Sequence, residues 1–206
     1  VLDEDVRAPA PELLAALQPM EIADSGAFGP NLARRRAGGE VEARSAHAPD
    51  GALLAHYYFP VGIDLPVLRE DDTNGDQRPD RWIAYDGSAR SEIWEAPGGE
   101  RPTVRIVFTD AGVRVSRVEV DDDADGRPNR ILHYQTGELV AESRDRDGDG
   151  RLDTFDRLDD EGRVALREED LDGDGVVDVR SVYRAGRLVR RELSRRYPKH
   201  KWPEKP

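Results

Sequence analysis

A unit of 24 to 25 residues recurs along this 206-residue chain, and a repeat of that length fixes the architecture before any other feature is considered. Four units open with a nine-residue acidic loop: Asp72–Asp80 (DTNGDQRPD), Asp121–Asn129 (DDDADGRPN), Asp145–Asp153 (DRDGDGRLD) and Asp170–Asp178 (DLDGDGVVD). They begin 49, 24 and 25 residues apart. The first interval is twice the others, so a fifth unit is expected to start near residues 95–97, where Glu95–Thr103 fits the frame with its acidic side chains lost. Thirteen residues after the first loop position the units carry Tyr85, Phe108, Tyr134, Leu158 and Tyr183. A turn follows each, with Gly87, Gly112, Gly137, Gly162 and Gly186.

Each unit therefore reads as loop, strand, glycine turn and return strand. Segments such as Thr103–Phe108 and Val176–Tyr183 are rich in β-branched and aromatic residues, and no apolar spacing of three and four follows the loops. The expected fold is mainly β: an antiparallel β-meander of about five hairpin repeats, with acidic loops along one edge and glycine turns along the other. The strand faces change along the array. Ile83/Tyr85, Ile106/Phe108 and Leu132/Tyr134 are apolar, whereas Asp156/Leu158 and Ser181/Tyr183 are not. The last hairpins carry Arg163, Arg167, Glu168, Arg180, Arg187, Arg190 and Glu192 instead, expected in cross-strand ladders worth about a few tenths of a kcal/mol each.

Four segments follow: residues 1–38, a helix and extended arm; 39–71, a capping hairpin and connector; 72–194, the repeat array; and 195–206, a basic flexible tail. Pro11–Gln18 reads as a short helix with Leu13, Leu14 and Leu17 on one face, and Pro19–Gly39 as a loop. Val41–Ala46 and Leu53–Phe59 flank a turn at Pro49-Asp50-Gly51, a hairpin without an acidic loop.

Charged residues make up 36% of the chain and apolar ones 37%, so any core is thin. The net charge of -12 excludes a general nucleic-acid binder. There is no cysteine, hence no disulfide or thiolate metal site. No apolar run approaches the roughly 18–20 residues of a membrane span. The chain begins at Val1 rather than Met, which points to a removed leader and to export.

The loops carry the chemistry. Oxygen-bearing side chains at positions one, three, five and nine suit a hard cation, and calcium takes six to eight oxygens. The candidate ligands are Asp72, Asn74, Asp76 and Asp80; Asp121, Asp123, Asp125 and Asn129; Asp145, Asp147, Asp149 and Asp153; and Asp170, Asp172, Asp174 and Asp178. Backbone carbonyls at position seven (Arg78, Arg127, Arg151, Val176) would complete the sets, giving two to four calcium ions. Position twelve, where a helical EF-hand places a bidentate Glu, offers a carboxylate only at Asp156. Affinity on the order of 0.01–1 mM is expected. The third and fourth loops, with four carboxylates each, should bind more tightly than the second, with three and an amide, or the first, with Gln77 in place of Gly. The same residues also make polar turns without any ion. In the last hairpins, metal is expected to substitute for core.

Loops of the form DxDGDGxxD between strands resemble the calcium loops of FG-GAP/integrin-type repeats. The full unit is similar to hairpin repeats of lipoprotein-like bacterial cell-envelope proteins. Thrombospondin type 3 repeats share the loop but contain Cys, and dockerins follow it with a helix. The resemblance covers Asp72 to about Leu193. It implies an extracytoplasmic calcium-binding protein of the periplasm or cell surface, acting as a structural, adhesion or scaffold module. The alternative is a peripheral accessory subunit docked on a larger membrane-associated complex. His47, His56, His133 and His200 are scattered and no hydrolase motif is present, so no enzyme is expected. His56–Phe59, Trp82 and Trp94 read as sheet packing, or else as sugar-stacking rings. Arg184, Arg187, Arg190, Arg191, Arg195, Arg196, Lys199 and Lys201 form a solvated face and tail, or else grip an anionic surface; Arg34–Arg36 pose the same choice. A protein or envelope partner is expected.

Overall fold

The computed structural model describes residues 8, 11–22, 29–97 and 101–194. Among them, 14 strands follow one another in sequence order as one antiparallel meander. The elements are α1 (Pro11–Ala16), β1 (Gln18–Met20), α2 (Gly29–Ala37), β2 (Val41–His47), β3 (Leu53–Pro60), β4 (Leu68–Asp71), β5 (Arg81–Asp86), β6 (Ala89–Glu95), β7 (Val104–Thr109), β8 (Arg114–Val120), β9 (Arg130–Gln135), β10 (Glu138–Arg144), β11 (Thr154–Leu158), β12 (Val164–Glu169), β13 (Val179–Arg184) and β14 (Arg187–Leu193). No helix among the described residues is long and apolar enough to cross a membrane. The chain divides into two compact units, Val1–Ser116 and Arg117–Pro206.

The hairpins close where the sequence places its glycine turns. Between β9 and β10, Thr136 and Gly137 have φ of 53° and 90°; between β13 and β14, Ala185 and Gly186 have 47° and 74°. Two consecutive left-handed residues give a turn whose twist matches that of the flanking strands. The registers follow, Gln135 opposite Glu138 and Arg184 opposite Arg187.

A hydrogen bond joins each unit to the next. The N–H of Ala96 donates to the Asp80 carbonyl at 2.8 Å, Asp145 to Asn129 at 2.8 Å, Asp170 to Asp153 at 2.9 Å and Ser194 to Asp178 at 2.6 Å. The same bonds refine the frame of the fifth unit. Its loop begins at Ala96 and not at Glu95, and it is one residue shorter. Thr103 donates back to Glu95, whereas Asp153 donates to Arg144 and Asp178 to Glu169. Residues 98–100 of that loop lie outside the described residues.

The first unit has a conventional core. Leu32 and Ala33 of α2 pack with Val41, Ala43, Tyr58, Leu68, Trp82, Ala84 and Trp94. The segment expected to be a loop thus contains β1 and helix α2. Gly29-Pro30 starts the helix as well as it would punctuate a loop, since proline is tolerated in a first helical turn. Only Leu32 and Ala33 face inward, too few to register as a period. Arg36 fastens the helix to β5 and β6, donating to the Tyr85 carbonyl at 3.3 Å, Ser91 Oγ at 2.7 Å and Glu92 Oε1 at 3.3 Å. Of the expected leucine face, Leu17 is buried just beyond α1 and Leu14 packs beside it, while Leu13 is exposed.

The second unit is built differently. Val179 is its one buried apolar residue among those described; the other buried residues there are Asp121, Ser143, Thr154, Asp156, Asp178 and Ser181. The cross-strand ladder is present. Asp156 on β11 accepts from Arg144 on β10 at 2.7 Å and from Arg167 on β12 at 2.7 Å through both oxygens.

Candidate metal centres

In the second unit the loops before β9, β11 and β13 all lie at the same end of the strands, as a meander requires. All four acidic loops fold on one hydrogen-bond template. The side chain at position three accepts the N–H of position five: Asn74 from Asp76 (2.8 Å), Asp123 from Asp125 (3.2 Å), Asp147 from Asp149 (3.1 Å) and Asp172 from Asp174 (3.3 Å). Position five accepts the N–H of position seven: Asp76 from Arg78 (2.9 Å), Asp125 from Arg127 (2.7 Å), Asp149 from Arg151 (2.8 Å) and Asp174 from Val176 (2.8 Å). Position nine accepts the N–H of position two: Asp80 from Thr73, Asn129 from Asp122, Asp153 from Arg146 and Asp178 from Leu171. These bonds pull the side chains to the inside of the turn. They also favour the charged carboxylates: the N–H of Asp125, with the Asn129 amide, holds the Asp123 carboxyl below its ordinary pKa.

Three loops gather their carboxylates. Asp121, Asp123 and Asp125 bring oxygens within 4.8 Å of one another, as do Asp145, Asp147 and Asp153, and Asp170, Asp172 and Asp178. Each group can hold a metal ion. Position five joins the gathered carboxylates in the second loop, and position nine does so in the third and fourth. Asp149 and Asp174 instead line a hollow of about 170 Å³ together with Asp147, Asp153 and Asp170. Asp72, Asp76 and Asp80 of the first loop do not converge in this way. Both Asp80 oxygens there are taken by Thr73, through its N–H at 2.9 Å and its hydroxyl at 2.8 Å. Gln77 is forced to φ 71° where the other loops have Gly.

Asp156 is not a position-twelve ligand. Its carboxylate is committed to Arg144 and Arg167, with a side chain 2% exposed. Position twelve falls within a strand, and the residue points to its cross-strand neighbours.

A test of whether a cation fits comes from Asp121. Its Oδ1 is buried and has no hydrogen-bond partner. A carboxylate oxygen out of contact with water and with donors calls for a positive charge. The donor set, all oxygen, suits a hard metal.

The side chains at position seven escaped the sequence reading. Arg127 lies over Gly150 of the third loop, where a built Cβ would meet its Nη1 at 2.8 Å. Arg151 Nη1 donates to the Gly173 carbonyl of the fourth loop at 3.2 Å. The available signal was Arg at position seven in every acidic loop except the last.

The aromatic residues are packing. Tyr57, Tyr58, Phe59, Trp82 and Trp94 are buried, and Trp82 faces Trp94 across β5 and β6. The buried Glu70 carboxylate accepts from Tyr58 at 2.7 Å and Trp82 Nε1 at 2.9 Å, a satisfied internal site. Burial, reinforced by the Glu70 charge, pushes the Tyr58 phenol well above its ordinary pKa. Arg184, Arg187 and Arg190 are exposed on β13 and β14, and the rest of the basic run, from Arg195 on, lies outside the described residues.

No protein family and no curated protein matches the sequence. Solved structures share only a slight likeness. A GtfA/B complex bound to UDP and GlcNAc aligns at 11% identity and TM-score 0.29, covering 63% of this chain and 22% of that one. Accessory secretory protein 1, 2 and 3 of Streptococcus pneumoniae aligns at 13% identity and TM-score 0.27, covering 62% and 19%. The chain spans about a fifth of the length of those structures, and likenesses this slight say nothing about function.

Proposed function

We propose that the chain is a calcium-binding repeat protein whose second unit uses cations where other domains use apolar core. The observation that carries this reading is the pairing of a single buried apolar residue, Val179, with three gathered carboxylate groups in the same unit. Without a counter-ion, like charges within 4.8 Å of one another repel, and little buried area opposes them. A cation bound only by the folded loop stabilises it by about 2.7 kcal/mol at a hundredfold excess over Kd.

Calcium is the metal that fits an all-oxygen, loop-borne donor set of this kind. With Asp156 diverted to Arg144 and Arg167, no loop has a carboxylate at position twelve, so water completes the coordination and the affinity is low. Sites of that class fill where calcium is near millimolar, outside the cytoplasm. The role that follows is a stiff structural, adhesion or scaffold module of the cell envelope.

Thermal melts followed by circular dichroism, with calcium and with chelator, test the proposal. The expected result is a higher melting temperature with calcium; an unchanged one overturns it.

A further inference from the structure

The four aspartates at position one are not equivalent. Three have both oxygens capped by backbone N–H groups: Asp72 by Gly75 and Gln77, Asp145 by Gly148 and Gly150, and Asp170 by Gly173 and Gly175, all at 2.7–2.9 Å. Asp121 has one cap, from Gly126 to Oδ2 at 2.8 Å. Its Oδ1 is buried without a partner, and the residue is 8% exposed. Capped oxygens have already traded water for N–H groups. Oδ1 of Asp121 has lost water and gained nothing, so an arriving cation relieves a larger cost there.

The two arginines then act on the residues that hold the next loops' ligands. Arg127, whose own N–H is bound to Asp125, packs on Gly150. The Gly150 N–H in turn caps Asp145 Oδ2. Arg151, whose N–H is bound to Asp149, donates to the Gly173 carbonyl, and the Gly173 N–H caps Asp170 Oδ1. Val176 occupies position seven of the fourth loop and carries no such arm.

We infer that the Asp121–Asn129 loop is the first cation site of the second unit to fill, and that its loading is passed to the third and fourth loops through Arg127 and Arg151. The inference rests on the proposed calcium binding. A cation held by Asp121, Asp123 and Asp125 fixes the turn that presents Arg127. The arginine then meets Gly150 at a smaller entropic cost and steadies the N–H that orients Asp145. The step repeats from Arg151 to Gly173. Counting carboxylates gives the reverse order, with the third and fourth loops first.

The amide resonances of Gly126, Gly150 and Gly175, one in each loop, report the three sites separately in a calcium titration of the full chain. The Gly126 signal is expected to move at the lowest calcium. In Asp121→Asn the midpoints of Gly150 and Gly175 should rise on the order of tenfold, the scale of an ordinary coupling. In Arg151→Ala, an exposed change that leaves every carboxylate in place, Gly175 alone should weaken. Movement of Gly150 or Gly175 before Gly126 overturns the order of filling, and midpoints unchanged in both variants overturn the coupling. If no glycine signal responds up to millimolar calcium, the proposed calcium binding itself fails.

Discussion

The Glu70 carboxylate occupies the space that a side chain on Gly29 would need: a Cβ there would lie 1.6 Å from Oε1. Glycine at the start of α2 thus lets the helix close onto a buried acid of β4 that Tyr58 and Trp82 already hold. Gly29→Ala must displace one of them. A loss of about 1–3 kcal/mol is expected from overpacking, read by urea denaturation. Gly39→Ala is the control, since a Cβ there meets nothing within 4 Å. Equal losses in the two variants would show that the contact is not tight.

Asp156 serves the ladder, and its replacement should reveal that. Asp156→Asn is expected to lower stability by about 1.5–3 kcal/mol, the worth of hydrogen bonds to charged groups, because Arg144 and Arg167 lose an ionised acceptor. The number of calcium ions counted by native mass measurement should stay the same. Loss of an ion would return Asp156 to the ligand set.

Chelation should act locally. Hydrogen exchange of the second unit's strands, Val179 and Ser181 included, is expected to speed up when calcium is removed. Amides of Tyr58 and Ile83, inside the packed first unit, should keep their protection. Uniform acceleration in both units would mean that cations support more than the last hairpins.

The turn between β11 and β12 gives a pH dependence. The N–H of Arg163, then its guanidinium, holds the Asp159 carboxyl below its ordinary 3.8. A carboxyl lowered by folding adds stability that is present above its unfolded pKa and lost as pH falls through the folded one. An NMR titration of Asp159 should therefore show a midpoint below 3.8, with the Arg163 amide shifting in step. A midpoint at or above the ordinary value contradicts the assignment.

The array was legible in the sequence because its punctuation is chemical: acidic loops and glycine turns keep phase over more than a hundred residues. What was missed lacked such marks. Helix α2 offers only Leu32 and Ala33 to the core, so its sequence carries no period. The one-residue shortening of the ligand-free loop at Ala96 changes nothing that a pattern can register. Asp156 was misplaced because an offset along the chain does not show which cross-strand partner a strand residue meets. The reach of Arg127 and Arg151 depends on the spacing of neighbouring loops, and only three dimensions supply it. The unequal capping of Asp121 is invisible to a count of carboxylates.

The link from Ser194 to Asp178 repeats the one that joins Asp170 to Asp153 and Asp145 to Asn129. Every unit therefore presents the same acceptor to whatever follows. Removal of residues 145–169 would bring the N–H of Asp170 to the carbonyl of Asn129, and duplication of the same segment would insert another rung by the same bond. A sheet joined in this way behaves as a ruler: its length is a matter of copy number, open to change by recombination between tandem gene segments without redesign of a core.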